Sequence, residues 1–215
     1  MNFISFEFVV FLLLTVILYY AVPKKTQWIL LLLANIGFYC FGGLKTVGYL
    51  VFTTLTTWGA GLLLEKLNSK KKTIEKSDKE AAEKNKKQKK AVVAVTLVLN
   101  FGMLFMLKYL GFTAEAVGKL FGVFGVGMNL HVPDFVLPLG VSFYIFQSTG
   151  YVVDMYRGKY PAQHNIAKFS LFTSFFPQMV QGPISRYDKL GMQLTEYHSF
   201  NTDNIRDGIL TIMWG

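Results

Sequence analysis

Apolar runs of membrane-spanning length recur along this chain, and they exclude most of the folds otherwise open to 215 residues. The first is Phe3 to Val22, FISFEFVVFLLLTVILYYAV. It supplies about the 20 residues that a helix needs to cross a hydrocarbon layer of roughly 30 Å. No basic stretch precedes it and no small-residue cleavage site follows, so it reads as a retained first helix rather than a signal peptide. Pro23, Lys24 and Lys25 end it. Trp28 to Phe41 is the second run, and Gly42 and Gly43 then turn the chain. Tyr19, Tyr20 and Trp28 flank the Lys24–Lys25 turn as an interfacial aromatic belt does. Thr46 to Leu64 is the third run, rich in the Thr and Gly that let membrane helices approach closely. Ala91 to Leu110 predicts a fourth helix and Pro138 to about Tyr156 a fifth. Between them, Gly111 to Asp134 holds five glycines and reads as a short re-entrant or interfacial helix with loops. Phe169 to Val180 is a shorter apolar piece, broken by Pro177 and ended by Gly182–Pro183. Asn204 to Gly215 begins another helix, and IRDGILTIMWG stops with no cap or closing turn. The expectation is an all-α, polytopic membrane bundle, this chain being the N-terminal part of a longer one. The ten-residue alternation of a transmembrane β-barrel is absent.

The placement of charge is more informative than its total. Charged residues make up 16% of the chain, against about 25% in soluble domains, and mean hydropathy is +0.37. Of the net +9, residues Glu65 to Lys90 contribute +6, through 11 Lys and 5 acids. The block has no Arg and no aromatic residue, unlike the basic, aromatic-laced face of a nucleic-acid binder. It reads as a solvated loop. The chain therefore divides into three transmembrane helices at 1–64, a Lys-rich loop at 65–90, and further transmembrane or re-entrant helices at 91–215. Lys and Arg bias in short loops sets membrane orientation. An N-terminus outside places Lys24, Lys25, the Lys block, Arg157 and Lys159 together in the cytoplasm. Lys45 and Lys108 oppose this assignment, and Lys108 can snorkel to the interface.

Polar side chains within apolar helices are costly and usually face a bundle interior or a cavity. In the fifth helix, Gln147, Asp154 and Arg157 are spaced by seven and three, with Gly150 and Tyr151 between, and read as one face. That face is either a polar tunnel wall or, through an Asp154–Arg157 pair, the interfacial end of the span. In FFPQMVQGPISRY, residues 175–187, Pro177, Gly182 and Pro183 interrupt an apolar helix. Gln178 and Gln181 stand three apart there, and Arg186 follows. A broken membrane helix needs protein or water to satisfy its freed backbone groups, so this segment reads as cavity-lining, with a plain hairpin as the alternative. His131, His164 and His198 each fall in a polar or Gly-rich connection. Cys40, the single cysteine, reads as a buried, inert thiol. There is no phosphate-binding loop, nucleophile elbow or His–Glu metal pair, and the residues form no complete catalytic constellation. A transporter with broken helices and a non-catalytic envelope-assembly subunit are the competing readings.

The two stretches LPLGVSFYIFQSTGYVVDMYRGK (137–159) and NIAKFSLFTSFFPQMVQGPISRY (165–187) resemble the membrane-bound O-acyltransferase family. NFISFEFVVFLLLTVILYY and NIGFYCFGG also resemble its bacterial branch of alginate O-acetyltransferases and teichoic acid D-alanyl transfer proteins. The resemblance implies a ring of helices around a tunnel in a bacterial plasma membrane. It implies transfer of an acetyl- or D-alanyl-type group to a hydroxyl of an envelope polymer. Its essential histidine belongs to a helix that this chain does not reach, so no catalytic residue is expected here and the chain alone should be inactive. Gln147, Asp154, Arg157, Pro177, Gln178, Gln181, Gly182, Pro183 and Arg186 would shape the tunnel. No bound cofactor or metal is implied. The donor would be a thioester or an acylated carrier protein on the cytoplasmic side. The acceptor side would offer the polymer or an extracytoplasmic acyltransferase partner. The Lys-rich loop would set topology or attract an acidic carrier or anionic lipid.

Overall fold

The computed structural model describes residues 6–41, 43–74, 79–123, 140–178 and 183–214. Seven α-helices follow one another, and no strand occurs among the described residues: α1 (Phe6–Ala21), α2 (Gln27–Phe41), α3 (Leu44–Ile74), α4 (Lys79–Val123), α5 (Val141–Arg157), α6 (Ile166–Ser174) and α7 (Thr202–Trp214). Within α3 and α4, the segments Thr46–Lys70 and Lys79–Thr113 are long and apolar enough to cross a membrane, and α1 is a shorter apolar helix.

The distribution of side chains identifies the solvent. α1 exposes Phe6, Leu13, Leu14, Ile17 and Leu18, and α4 exposes Val95, Val98, Phe105 and Met106. The interior holds Asn35, Thr53, Thr57, Asn100, Gln147, Ser148 and Thr173. In water the preference runs the other way. In lipid, which is as apolar as leucine, polar groups gain by turning inward to partners in the bundle. The protein is an all-α membrane protein. Cys40 follows the same rule, since it is exposed on the outer face of α2 rather than buried as expected.

α3 is the central helix, packing on α2, α4, α5 and α6. Its contact with α5 is close because Gly61 has no side chain. A Cβ there would stand 2.6 Å from the Tyr151 Oη and 2.7 Å from its Cε1. Tyr151 is wedged in turn between the rings of Phe169, at 4.7 Å, and Tyr187, at 5.1 Å.

The Lys-rich block departs from the solvated loop expected of it. α3 continues to Ile74 and α4 begins at Lys79, so 65–74 and 79–90 are helical. Lys, Glu and Ala are good helix formers, and charge density does not by itself end a helix. The exposed pair Lys87–Glu83 spans one turn at 3.2 Å, and the Asn85 Nδ2 donates to the Leu67 carbonyl at 3.0 Å, joining the two rods. Residues 111–123 likewise continue α4 instead of forming a separate short helix. The rest of the Gly-rich stretch, with His131, lies outside the described residues.

Four connections meet at one end of the bundle. Lys168 Nζ lies 5.6 Å over the Trp28 ring beside the α1–α2 turn. Trp58 Nε1 donates to the Gln163 carbonyl, Asn68 Nδ2 to the Met155 carbonyl, and Lys24 Nζ to Ser199 Oγ. Lys24, Lys25, the helical Lys block, Arg157 and Lys159 thus share a basic end, as the orientation argument requires. α6 enters the bundle from this end, capped by Asn165, whose side chain accepts from Ala167 N and Lys168 N. Near the far end Phe176 stacks on Phe38 and meets Phe8 and Phe11. The chain then returns: Tyr187 packs on Tyr151, Tyr160 and Phe172, and His198 reaches the α1–α2 turn. The broken apolar segment is one limb of a re-entrant hairpin.

If the α3–α5 contact is as close as this, Gly61→Ala destabilises the protein by about 1–3 kcal/mol through overpacking. Thermal unfolding in detergent measures it. A Tyr151→Leu background should remove most of the penalty, and an unchanged midpoint in the wild-type background would contradict the contact.

Candidate functional site

Two apolar clusters divide the bundle, and a polar layer separates them. Leu50, Leu104, Tyr144, Ile145 and Phe176 belong to the cluster at the far end. Ala60, Leu64, Tyr151, Phe169 and Phe172 belong to the cluster at the basic end. Between these positions each helix contributes buried polar residues: Thr53, Thr54 and Thr57 on α3, Gln147 and Ser148 on α5, and Thr173 and Ser174 on α6. Asn35 on α2 and Asn100 on α4 are buried beside them in sequence order. Some bonds stay within the layer. Thr54 Oγ1 and Thr173 Oγ1 are 2.9 Å apart, Asn100 Nδ2 donates to Thr56 Oγ1 at 3.0 Å, and Gln147 Nε2 donates to the Phe172 carbonyl at 3.3 Å. Other polar atoms of the layer are buried without a partner: Gln147 Oε1, Ser148 Oγ, Ser174 Oγ, Thr53 Oγ1 and Asn35 Nδ2. Each such group costs about 1–3 kcal/mol relative to a satisfied one. These amide and hydroxyl groups, spread over four helices at one level, are free to bond a polar partner that reaches the layer.

The residues singled out from sequence separate into three groups. Gln147 is 1% exposed and lies in the polar layer, and Asp154 is 4% exposed. Arg157 is exposed. Ten residues at 100° each leave it about 80° away from Gln147 around the helix, at the edge of the stripe that Gln147 and Asp154 share. Asp154 pairs with Lys159 at 2.9 Å across the α5 terminus instead of with Arg157. Gly158 makes that turn possible, with φ at 72° and its N–H on the Met155 carbonyl. Pro177, Pro183 and Arg186 are exposed on this chain, and Gln178 is half-buried. Gln178 Nε2 donates to Ser185 Oγ at 2.8 Å, tying the hairpin limbs. Gln181 and Gly182 lie outside the described residues.

Several residues that the sequence reading passed over hold this architecture. Asn35 Oδ1 accepts the Phe176 N–H at 3.2 Å, next to the Pro177 break. As an amide within WILLLLANIGFYCF it carried the same signal as Gln147. Gln163 is a hub: its Nε2 donates to Tyr187 Oη at 2.9 Å, its Oε1 accepts from Asn165 N, its N–H reaches Tyr151 Oη and its carbonyl takes the Trp58 indole. Glu65 accepts the Ala162 N–H and pairs with His164, each at 2.9 Å. His198 has Nδ1 2.9 Å from Tyr19 Oη, and its backbone exchanges two bonds with the Gln27 amide. Both histidines sit in connections, as expected, and both are tied to the basic end. Burial and the neighbouring Asp154 carboxylate raise the Tyr160 pKa, so its phenol stays protonated at neutral pH.

Known proteins give this geometry a context. The chain is 28% identical over 198 residues, 92% of its length, to the probable alginate O-acetylase AlgI of Azotobacter vinelandii, and 26% identical over the same span to that of Pseudomonas putida. Against the Pseudomonas aeruginosa protein of the same name it is 31% identical over 119 residues, 55% of the chain. The similarity to proteins of this name runs along 198 residues of the chain. The chain spans 36%, 37% and 22% of these three relatives. No protein-family model and no solved structure matches it. The α5 and α6 part of the polar layer and the re-entrant hairpin fall in the two motif stretches that carried the resemblance.

Gln163→Ala should release the returning limb of the hairpin. Losing two side-chain bonds of about 1 kcal/mol each raises amide hydrogen exchange across 184–194 roughly tenfold or more, with α3 unchanged. Equal exchange in the variant and the wild type would remove Gln163 from its role as the hub.

Proposed function

We propose that the full-length protein is a membrane O-acyltransferase that acts on a hydroxyl of a cell-envelope polysaccharide. The observation that carries this reading is the match along 198 residues to proteins named alginate O-acetylase. The partly unpaired polar layer supports it, because a polar acceptor crossing a membrane-embedded site needs hydrogen-bonding groups where lipid offers none. Acetyl transfer is the favoured chemistry over D-alanyl transfer, on the relatives' printed names. The donor would be a thioester or an acylated carrier protein, approaching from the cytoplasm. The acceptor polymer, or an extracytoplasmic acyltransferase that passes the group on, would lie across the membrane. The basic end would face the cytoplasm of a bacterial plasma membrane with the N-terminus outside, by the excess of Lys and Arg at that end.

The share of the work assigned to this chain is binding and alignment. Gln147, Ser148 and Ser174 would hold acceptor hydroxyls by hydrogen bonds, and the apolar clusters above and below would exclude water. His164 and His198 are committed to contacts at the basic end, away from that layer. The general base that takes the hydroxyl proton would come from a histidine elsewhere in the full-length protein. The chain alone would then bind without turnover.

At matched membrane expression, Gln147→Ala should lower polymer acylation about tenfold or more, the worth of a lost buried polar contact. Lys84→Ala, on the exposed helical stub, should leave it unchanged. In a Cys40→Ser background, Lys84→Cys should stay unlabelled by an impermeant maleimide in intact cells. Wild-type acylation by the Gln147 variant would sink the assignment of the polar layer, and labelling of Lys84→Cys would reverse the orientation.

A further inference from the structure

The groove between α4 and α5 at the basic end carries two charges, on Lys86 and Arg157, that neither the polar layer nor the ordered connections use. Glu83, Lys86 and Lys89 on α4 and Tyr156 and Arg157 on α5 line a cavity of about 530 Å³ there. A second cavity, of about 520 Å³, adjoins it, shares Lys89 and Arg157, and adds Lys159. The nearby carboxylates are committed elsewhere: Glu83 to Lys87, Asp154 to Lys159, and Glu65 to His164 and the Ala162 N–H. Among the described residues neither Lys86 nor Arg157 has a carboxylate partner. The cations are also held in place. Asn85 fastens this stretch of α4 to α3, Lys89 Nζ lies 4.8 Å over the Tyr156 ring, and Gly158 ends α5 one residue past Arg157.

The same groove continues into the apolar zone. On α4, Lys86, Lys89, Val93, Leu97 and Phe101 recur at helical spacing on one face. On α5, Arg157, Val153, Gly150 and Phe146 do the same. The rings of Phe101 and Phe146, 5.5 Å apart, close its lower end. Gly150 is exposed, and a Cβ added there would meet open space. The open space at Gly150 makes a short channel on the outer surface of α5. Cations at the edge of the hydrocarbon zone, above an apolar channel, match an amphiphile with an anionic head. A guanidinium and two ammonium groups suit a phosphate diester.

We propose that this groove is a binding site for an anionic phospholipid, its phosphate held by Lys86, Lys89 and Arg157 and one acyl chain lying past Gly150. The site is independent of the acyl-transfer reading, since it concerns a resident lipid and its test reads binding. The channel opens on the lipid-facing surface, which favours a lipid over a soluble phosphate.

The test is native mass spectrometry of the full-length protein released from nanodiscs of equal phosphatidylglycerol and phosphatidylcholine. Phosphatidylglycerol should be retained in preference. Lys86→Gln and Arg157→Gln should each weaken its retention about fivefold, whereas Lys84→Gln, in the same stub, should not. Gly150→Leu should weaken it by filling the channel, and millimolar glycerol phosphate should fail to displace the lipid. An unchanged unfolding temperature in pure phosphatidylcholine separates lost binding from lost fold. Equal retention of the two lipids, or wild-type retention by the Lys86→Gln/Arg157→Gln double variant, would overturn the proposal. Displacement by glycerol phosphate would make this a soluble-phosphate site, and a neutral Gly150→Leu would remove the acyl chain from the channel.

Discussion

A helix broken inside a bilayer persists only if the rest of the bundle takes up the hydrogen-bonding groups that the break releases. Here the break falls at Pro177, and Asn35 on α2 supplies the acceptor for the Phe176 N–H. The returning limb is secured by Gln178 to Ser185 and by Tyr187 to Gln163. These bonds fix how far α6 penetrates and therefore where Thr173 and Ser174 stand relative to Gln147 and Thr54. The polar layer exists at one level because the hairpin is stopped at one level.

The apolar clusters above and below follow from the same constraint. Amide and hydroxyl groups in the interior strengthen as hydrogen bonds when water is excluded, and become costlier when unpaired. The cluster of Tyr151, Phe169, Phe172 and Tyr187 seals the layer toward the basic end, and Phe38, Tyr144 and Phe176 seal it toward the other. Gly61 lets Tyr151 into that seal. The result is a membrane protein whose apolar helices keep amides and hydroxyls inside and turn leucine, valine and phenylalanine outward.

Much of this was legible in the sequence, and the rest was hidden for identifiable reasons. The apolar runs gave all-α membrane architecture and four of the helices, α1, α2, α5 and α7, to within a few residues, because length against bilayer thickness is a strong constraint. Gln147 was found because an amide in an apolar run is conspicuous. The Asp154 partner was not legible from spacing, because the pair runs to Lys159 past the end of α5 and leaves Arg157 exposed. The Lys block was misread because composition reports solvation and not backbone state; Lys84, Lys86 and Lys87 are indeed exposed, yet on helices. Gln163 gave no local signal at all. Its role depends on four partners, one of them more than a hundred positions away at Trp58. The Pro and Gly residues of 177–183 announced a break but not its direction, which is set by Asn35, Gln27 and Tyr19 from the other end of the chain.

The central claim is that residues 166–198 leave and re-enter the bundle at the same end. Single cysteines at His164→Cys and Glu196→Cys, in a Cys40→Ser background, test it through labelling by a membrane-impermeant maleimide in right-side-out and inverted vesicles. Both positions are exposed at the basic end. The account predicts that the two cysteines react in the same vesicle preparation, together with Lys84→Cys, and are protected together in the other. Labelling of His164→Cys and Glu196→Cys from opposite sides would mean that the segment spans the membrane, and would contradict the hairpin and the polar layer built on it.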